Sequence, residues 1–139
     1  YVFFFYAFRP RVMSNPWFDF GHEHTPYNVD LMFCSFNDGK DFEDLRNVIV
    51  EEFSPWLDAY EAANAATSYN FSIEVPSYDP DPAFDYIWKN IHRNSDQADA
   101  GNAAWAESGG DIQDKFDSIA DCQPPARFEG YSFVNEDEA

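Results

Sequence analysis

Three carboxylates, Glu74, Asp85 and Glu129, fall in strand-like stretches that also carry Lys89, Arg127 and Tyr131. Carboxyl groups gathered with a cation and a phenol on a partly buried face can have their proton affinities driven apart, which general acid and base work requires. The candidate catalytic set is therefore Glu74, Asp85, Arg127 and Tyr131. Cross-strand ion pairs contributing at most about 1 kcal/mol each are the plainer account of the same residues.

A second group lies in GHEHTP, where His22, Glu23 and His24 place two imidazoles at alternate positions. Such a pair holds a divalent cation when further ligands converge, but a segment this rich in Pro and Gly is a loop, where hydrogen bonding suffices. No metal is expected, and His22 and His24 are the residues to watch. Asp79, Asp81 and Asp85 in YDPDPAFD, and the acidic NDGKDFED, offer spaced oxygens without the Gly at the sixth and Glu at the twelfth position of a calcium loop. Turn and cap chemistry explains both. The chain holds no phosphate-cradling Gly-rich loop, nucleophile elbow, H-E-x-x-H or C-x-x-C, and no cofactor is expected. Asn70-Phe71-Ser72 fits a glycosylation sequon but falls inside a predicted strand.

These side chains need a scaffold, and the order of segments supplies one. NVDLMFCSF is followed by a helical stretch from Asp41 to Tyr60, then SYNFSIEV, AFDYIWK, a second helical region from Asp96 to Cys122, and ARFEGYSFV. That is a β-α-β-β-α-β order, the α+β ferredoxin-like sandwich: an antiparallel sheet with helices on one face. Phe42, Leu45, Ile49, Phe53, Trp56 and Tyr60 form a helical apolar stripe that Asp41 can cap. Pro55 should kink this helix or restart it with Ser54 as a cap. In the second region Ser95 can cap, Gly109-Gly110 breaks, and Asp111 caps again.

Residues 1–27 form an extension whose Val2–Phe8 stretch has the composition of an extra strand covered on both faces. Residues 28–134 form the domain and 135–139 an acidic tail. YVFFFYAF lacks the basic flank and the cleavage site of an export signal. The start at Tyr1 is what a processed product would show.

Tyr69, Phe71, Ile73 and Val75, with Phe84, Tyr86 and Trp88, should face the helices. The opposite face then carries Arg127 and Glu129 and the candidate ligand-binding set Met32, Asn70, Ile87, Lys89, Tyr131 and Phe133, mixed enough in polarity to bind a ligand or a second copy. Cys34, in a central strand, and Cys122, at the end of the second helix, either form a disulfide or remain two buried thiols.

Acidic residues number 26 against 8 basic ones, for a net charge of −18. Such a surface repels phosphate, so neither nucleic acid nor an anionic membrane is an expected partner. Periplasmic or secreted placement fits the cysteines, and cytoplasmic placement in a salt-adapted organism fits the acidity and the scarcity of Lys.

From Asn28 to Val134, the element order, the element lengths and the half-polar open sheet face resemble the dimeric α/β-barrel superfamily, which includes antibiotic-biosynthesis monooxygenase-like, NIPSNAP-like and stress-responsive barrel proteins. The resemblance implies a homodimer whose paired sheets enclose a small apolar molecule. Its haem-degrading members use a Trp and a His, for which Trp88 and His92 stand only four residues apart; a packed Trp and a solvent-exposed His are expected instead. The leading expectation is a self-associating barrel that encloses an apolar small molecule. The alternatives are a cofactor-independent monooxygenase or isomerase-type enzyme, and an interaction subunit whose N-terminal strand adds to a partner's sheet.

Overall fold

Alternating apolar residues build a sheet of six strands: β1 (Phe3–Ala7), β2 (Tyr27–Phe36), β3 (Tyr69–Pro76), β4 (Tyr86–His92), β5 (Ala120–Cys122) and β6 (Ala126–Gly130). The computed structural model describes residues 3–7 as backbone, and 26–64, 67–78 and 82–131 in full. His22, His24, Asp79, Asp81, Phe133 and the acidic tail lie outside the described residues. The strand order is β1-β3-β4-β2-β5, with β6 also on β2, and every pairing is antiparallel. The extra N-terminal strand thus pairs within its own chain, at one edge of the sheet rather than covered between neighbours.

The last strand is split. Cys34 faces Cys122 and Leu31 faces Ala126, so three steps along β2 span four along β5 and β6. The extra residue falls at Gln123-Pro124-Pro125, a bulge on an edge strand where proline's missing N–H costs no ladder bond. The Gln123 N–H still reaches the Phe33 carbonyl at 2.9 Å.

Helices α1 (Phe42–Val48) and α2 (Ser54–Ala63) are joined by a π-helical turn at Ile49–Phe53. Asp41 caps α1 reciprocally with Asp44, as its spacing predicts. A second α-helix does start here, with Pro55 in its first turn, but Ser54 is its first residue and not its cap. Pro55 lacks an N–H and its ring crowds the carbonyl four residues back. The wider turn accommodates this, with the Ser54 N–H reaching the Ile49 carbonyl. Helices α3 (Ser95–Ser108) and α4 (Gly110–Ile119) meet at Gly109, where a Cβ would collide with the Trp105 indole. Asn94, not Ser95, caps α3, and Asp111 sits inside α4, whose cap position is Gly109. Cys122 lies in β5, beyond the end of α4.

Both helical regions pack on one face of the sheet. Leu45, Ile49, Phe53 and Leu57 interleave with Cys34, Phe71, Ile73, Tyr86, Trp88 and Ile119, each burial worth about 1.5–3 kcal/mol for the larger side chains. Three sequence expectations fail in detail. Met32 alternates in phase with Cys34 and packs on the helix side, not the open face. By register Arg127 and Glu129 share that side too, opposite Asp30 and Asn28. Phe84 precedes β4 and packs edge-on against Phe33, 5.0 Å between centroids.

The face away from the helices carries Asn70, Ser72, Ile87 and Ile91, all buried within the single chain. That undercuts an apolar patch there which a second copy must cover. Among the described residues the exposed large hydrophobics are instead Phe42, Val50, Phe128 and Tyr131.

Candidate functional site

The wedge between helices and sheet is not filled. A cavity of about 370 Å³ lies there, walled on the helix side by Phe53, Trp56, Tyr60, Trp105 and Phe116 and floored on the sheet side by Met32, Tyr69, Tyr86 and Trp88. Its polar members are Asp30, Asn90, His92, Asn102 and Gln113, with Cys122 and Pro125 at the bulged edge. Small residues on α3 bring that helix close: Ala98 is fully buried, and Gly101, one turn on, lies against the imidazole of His92. A Cβ at Gly101 would come within 3.2 Å of His92 Nε2, which accounts for a glycine in mid-helix despite its cost of about 1 kcal/mol.

The aromatic walls brace one another. Phe53 sits edge-on to Phe71, Trp88 and Trp105 at 5.1, 5.4 and 5.5 Å. Trp56 is edge-on to Trp105 at 4.9 Å and parallel to Tyr60 at 5.5 Å. Each indole of the walls spends its N–H locally: Trp56 donates to Ser108 Oγ, Trp105 to Gln113 Oε1 and Trp88 to Asn90 Oδ1. Asn90 Oδ1 also accepts from the Tyr69 hydroxyl.

At the rim Arg127 grips Asp30 with two bonds, Nε to Oδ1 at 2.9 Å and Nη2 to Oδ2 at 3.1 Å, and reaches Asp99 on α3 at 2.9 Å. Asp30 is only 5 % exposed, so this fork supplies the charge partner that a buried carboxylate requires. The hydrogen bonds it donates to Asp30 and then to Asp99 hold the guanidinium even more firmly protonated than usual. The clasp ties the edge strand to α3 beside the cavity.

His92, also 5 % exposed, has no hydrogen-bond partner for Nδ1 among the described residues; its ring packs on Tyr69 at 4.7 Å. The expectation of a solvent-exposed His is therefore wrong, because β4 runs past Lys89 and carries His92 under α3. Burial pushes its pKa down to about 4; Asp30 and Asp99 oppose this and Arg127 reinforces it. The imidazole is neutral at physiological pH. Between pH 6.5 and about 4 the unfolded chain binds a proton that the folded chain refuses, so stability is full above 6.5 and is lost as pH falls. The loss over that window should be on the order of 3 kcal/mol. Urea unfolding at pH 7 and pH 4.5 measures it, and His92→Gln should remove that part of the slope; an unchanged slope would show that His92 titrates normally. Burial, with Asp85 adding to it, also raises the Tyr86 phenol and keeps it protonated.

The residues singled out from sequence are dispersed. Glu74 pairs with Lys89 at 2.6 Å on the far face of the sheet. Asp85 accepts from the Phe36 N–H at 2.7 Å, closing the turn into β4. Arg127 belongs to the rim clasp, and Tyr131 is exposed, donating to Glu129, a bond that raises its pKa. Of the ligand-binding set, Met32 lines the cavity; Asn70, Ile87 and Lys89 lie across the sheet from it. Cys34 and Cys122 are joined in a disulfide, their Cα atoms 4.0 Å apart on neighbouring strands. Asn37–Asp44 forms a turn at Gly39 (φ 78°) and a helix cap, and the described residues hold no cluster of potential metal ligands.

Asp30, Asn90 and Gly101 are the site residues that sequence reasoning passed over, and His92 is the one it placed in solvent. Their signal was available: Asp30, Asn90 and His92 continue the helix-facing alternation of β2 and β4, where polar residues are anomalous. No helix among the described residues is long and apolar enough to cross a membrane. Comparison with protein-family models, curated proteins and solved structures finds no match.

Proposed function

We propose that this chain is a binding protein that encloses a flat, largely apolar small molecule between its helices and its sheet. The observation that carries the reading is the 370 Å³ cavity walled by mutually braced aromatic rings, within the usual size range of about 300–1,000 Å³ for ligand sites. Its polar groups are suited to orienting a ligand rather than to moving protons. A general base works best with a pKa near the operating pH, and His92 lies well below it. The monooxygenase or isomerase alternative has less support, since Glu74, Asp85, Arg127 and Tyr131 occupy four separate places.

An antiparallel sheet with helices on one face is compatible with a ferredoxin-like domain, and kinship with the dimeric α/β-barrel proteins is our reading of the element order. The cavity differs from the one the resemblance implies: it lies under the helices and is completed by one chain, so binding does not require a homodimer. Among the described residues, Phe42, Val50, Phe128 and Tyr131 are the exposed large apolar side chains available for self-association. The disulfide favours an oxidising compartment, periplasmic or extracellular.

Gly101→Leu tests the reading. The new side chain enters the cavity from α3, while helix propensity improves by roughly 0.8–1 kcal/mol. Naphthalene should quench Trp fluorescence in the unaltered protein, because Trp56, Trp88 and Trp105 line the site. The new Cβ must displace the His92 imidazole slightly, so circular dichroism first checks the fold; folded, the variant should bind at least about tenfold more weakly, the equivalent of 1.4 kcal/mol. Equal binding by both proteins would place the probe elsewhere and reject the cavity as the site.

A further inference from the structure

The charge around the cavity is one-sided. Among the described residues that line it, which include no Lys or Arg, Asp30 alone is charged at neutral pH, since burial keeps His92 neutral. At the rim Asp30 and Asp99 set two negative charges against the one positive charge of Arg127. The helices above repeat the bias: α3 and α4 each carry three acidic residues, against Lys115 alone, which is itself paired with Glu52. A cleft with low-dielectric walls focuses such a field, drawing cations in and turning anions away.

The walls point the same way. Eight of the lining side chains are Phe, Tyr or Trp, whose ring faces carry the negative part of the aromatic quadrupole. Three of the chain's four Trp are among them, the ring type that holds a cation best. Their N–H groups are already engaged by Ser108, Gln113 and Asn90, so the indoles bring π surface to a ligand rather than donors for an anion or a carbonyl.

Burial decides which kind of cation fits. Desolvation holds the His92 pKa down to about 4, although the charges around it favour a proton on balance, with Asp30 and Asp99 raising it and Arg127 lowering it. An ammonium rich in N–H groups would meet the same loss of water. A nitrogen bonded only to carbon has no N–H to leave unpaired, and in an aromatic ring its charge is spread over many atoms, so it gives up less hydration on entering.

Building on the proposed binding function, we infer that the ligand is a flat aromatic cation with a fully substituted nitrogen, of the N-alkylpyridinium or N-alkylquinolinium class, held among the Trp and Tyr rings in the field of Asp30 and Asp99. A neutral molecule of the same shape gains the apolar contacts without the attraction to the rings.

Equilibrium dialysis against three probes on one ring skeleton decides the matter: 4-methylquinoline, N-methylquinolinium and quinoline-4-carboxylate, at pH 8, where the first is uncharged. Salt at about 0.3 M screens the exposed carboxylates and suppresses Donnan retention, while a buried site is screened much less. The unaltered protein should bind N-methylquinolinium at least about tenfold more tightly than 4-methylquinoline, and the carboxylate most weakly of the three. Trp56→Leu keeps the wall apolar but removes a π face, and should narrow the preference for the cation at least about threefold. Both probes are compared in the same variant, so a general loosening of the wall cancels. N-methylquinolinium bound no more tightly than 4-methylquinoline would overturn the cation assignment and leave the cavity reading intact. Cation binding that Gly101→Leu does not weaken would also overturn it, by placing the cation on the acidic surface. Tightest binding of the carboxylate would overturn the sign of the field. Failure of all three to bind would remove the binding function along with it.

Discussion

Replacing Cys34 with Ala and Cys122 with Ser together should lower stability by about 4 kcal/mol, and the melting temperature by roughly 15 °C. The cross-link closes a loop of sequence separation 88, so most of the residues described in full lie between its ends. In the chain-entropy account, a constraint over a loop of that length removes about 4.5 kcal/mol of freedom from the unfolded ensemble. Cys34 is wholly buried while Cys122 is exposed, so the Ser is placed where its hydroxyl meets water and the Ala where a hydroxyl would be stranded. Calorimetry of the double variant, and of the unaltered protein with and without reductant, provides the measurement. A loss below about 1 kcal/mol would show that the short β5 is held by its backbone pairing with β2 and that the bridge adds nothing.

The bridge also bears on the cavity. Cys122 lines its edge, next to a bulge where the two prolines supply no N–H to the ladder. Reduction frees that edge from β2, leaving the Arg127 clasp to Asp30 and Asp99 to hold the wall. The same calorimetric series run with bound naphthalene should show the ligand's stabilisation, which follows RT ln(1 + [L]/Kd), shrinking when the bridge is cut.

Element order and helix stripes were legible because each rests on a short-range signal. The run Leu45, Ile49, Phe53 declares a helix face by its spacing, and Asp41 with Asp44 declares its start. Alternation from Tyr69 to Val75 declares which side of β3 meets the helices, and the core confirms it. The pairing of Cys34 with Cys122 needed more than spacing, since it depends on the final strand lying beside β2 in register.

The site was not legible for a different reason. Asp30, Asn90 and His92 are polar residues at positions where alternation demands apolar ones, and a strand pattern read for hydrophobicity passes over them. Only the position of α3 turns His92 from a residue after the strand into a buried one, and that position is set by Ala98 and Gly101, whose small size carries no periodic signal. Conversely, Glu74 and Lys89 looked like chemistry because opposite charges stood on strand-like segments, and their diagonal ion pair on the far face is the whole of their relation. Met32 was misplaced because its neighbours gave no anchor for the phase of β2; Cys34, two residues on and fully buried, supplies it.

Phe53→Ala should be the most damaging single substitution in the core, costing about 3–5 kcal/mol. The ring makes edge contacts with Phe71 and Trp88 on the sheet, with Trp105 on α3 and with Phe116 on α4, and lies parallel to Trp56 on its own helix. It thus meets rings on the sheet and on three helices around the cavity, and each aromatic pair adds about 0.5–1.5 kcal/mol beyond the area buried. The surroundings cannot collapse cheaply into the gap, because the rings around it are already braced on one another and on the sheet. Phe42→Ala is the control: that ring is 39 % exposed and packs at the margin against Phe36 and Tyr86, so its loss should cost about 1 kcal/mol. Urea unfolding gives both numbers. Naphthalene should then raise the stability of Phe53→Ala, since the enlarged cavity binds the folded state's ligand and the unfolded chain does not. A cost for Phe53→Ala no greater than that for Phe42→Ala would mean that the walls close on the vacated space. The cavity would then be a soft gap rather than a shaped receptor, and the case for a specific ligand would fall with it.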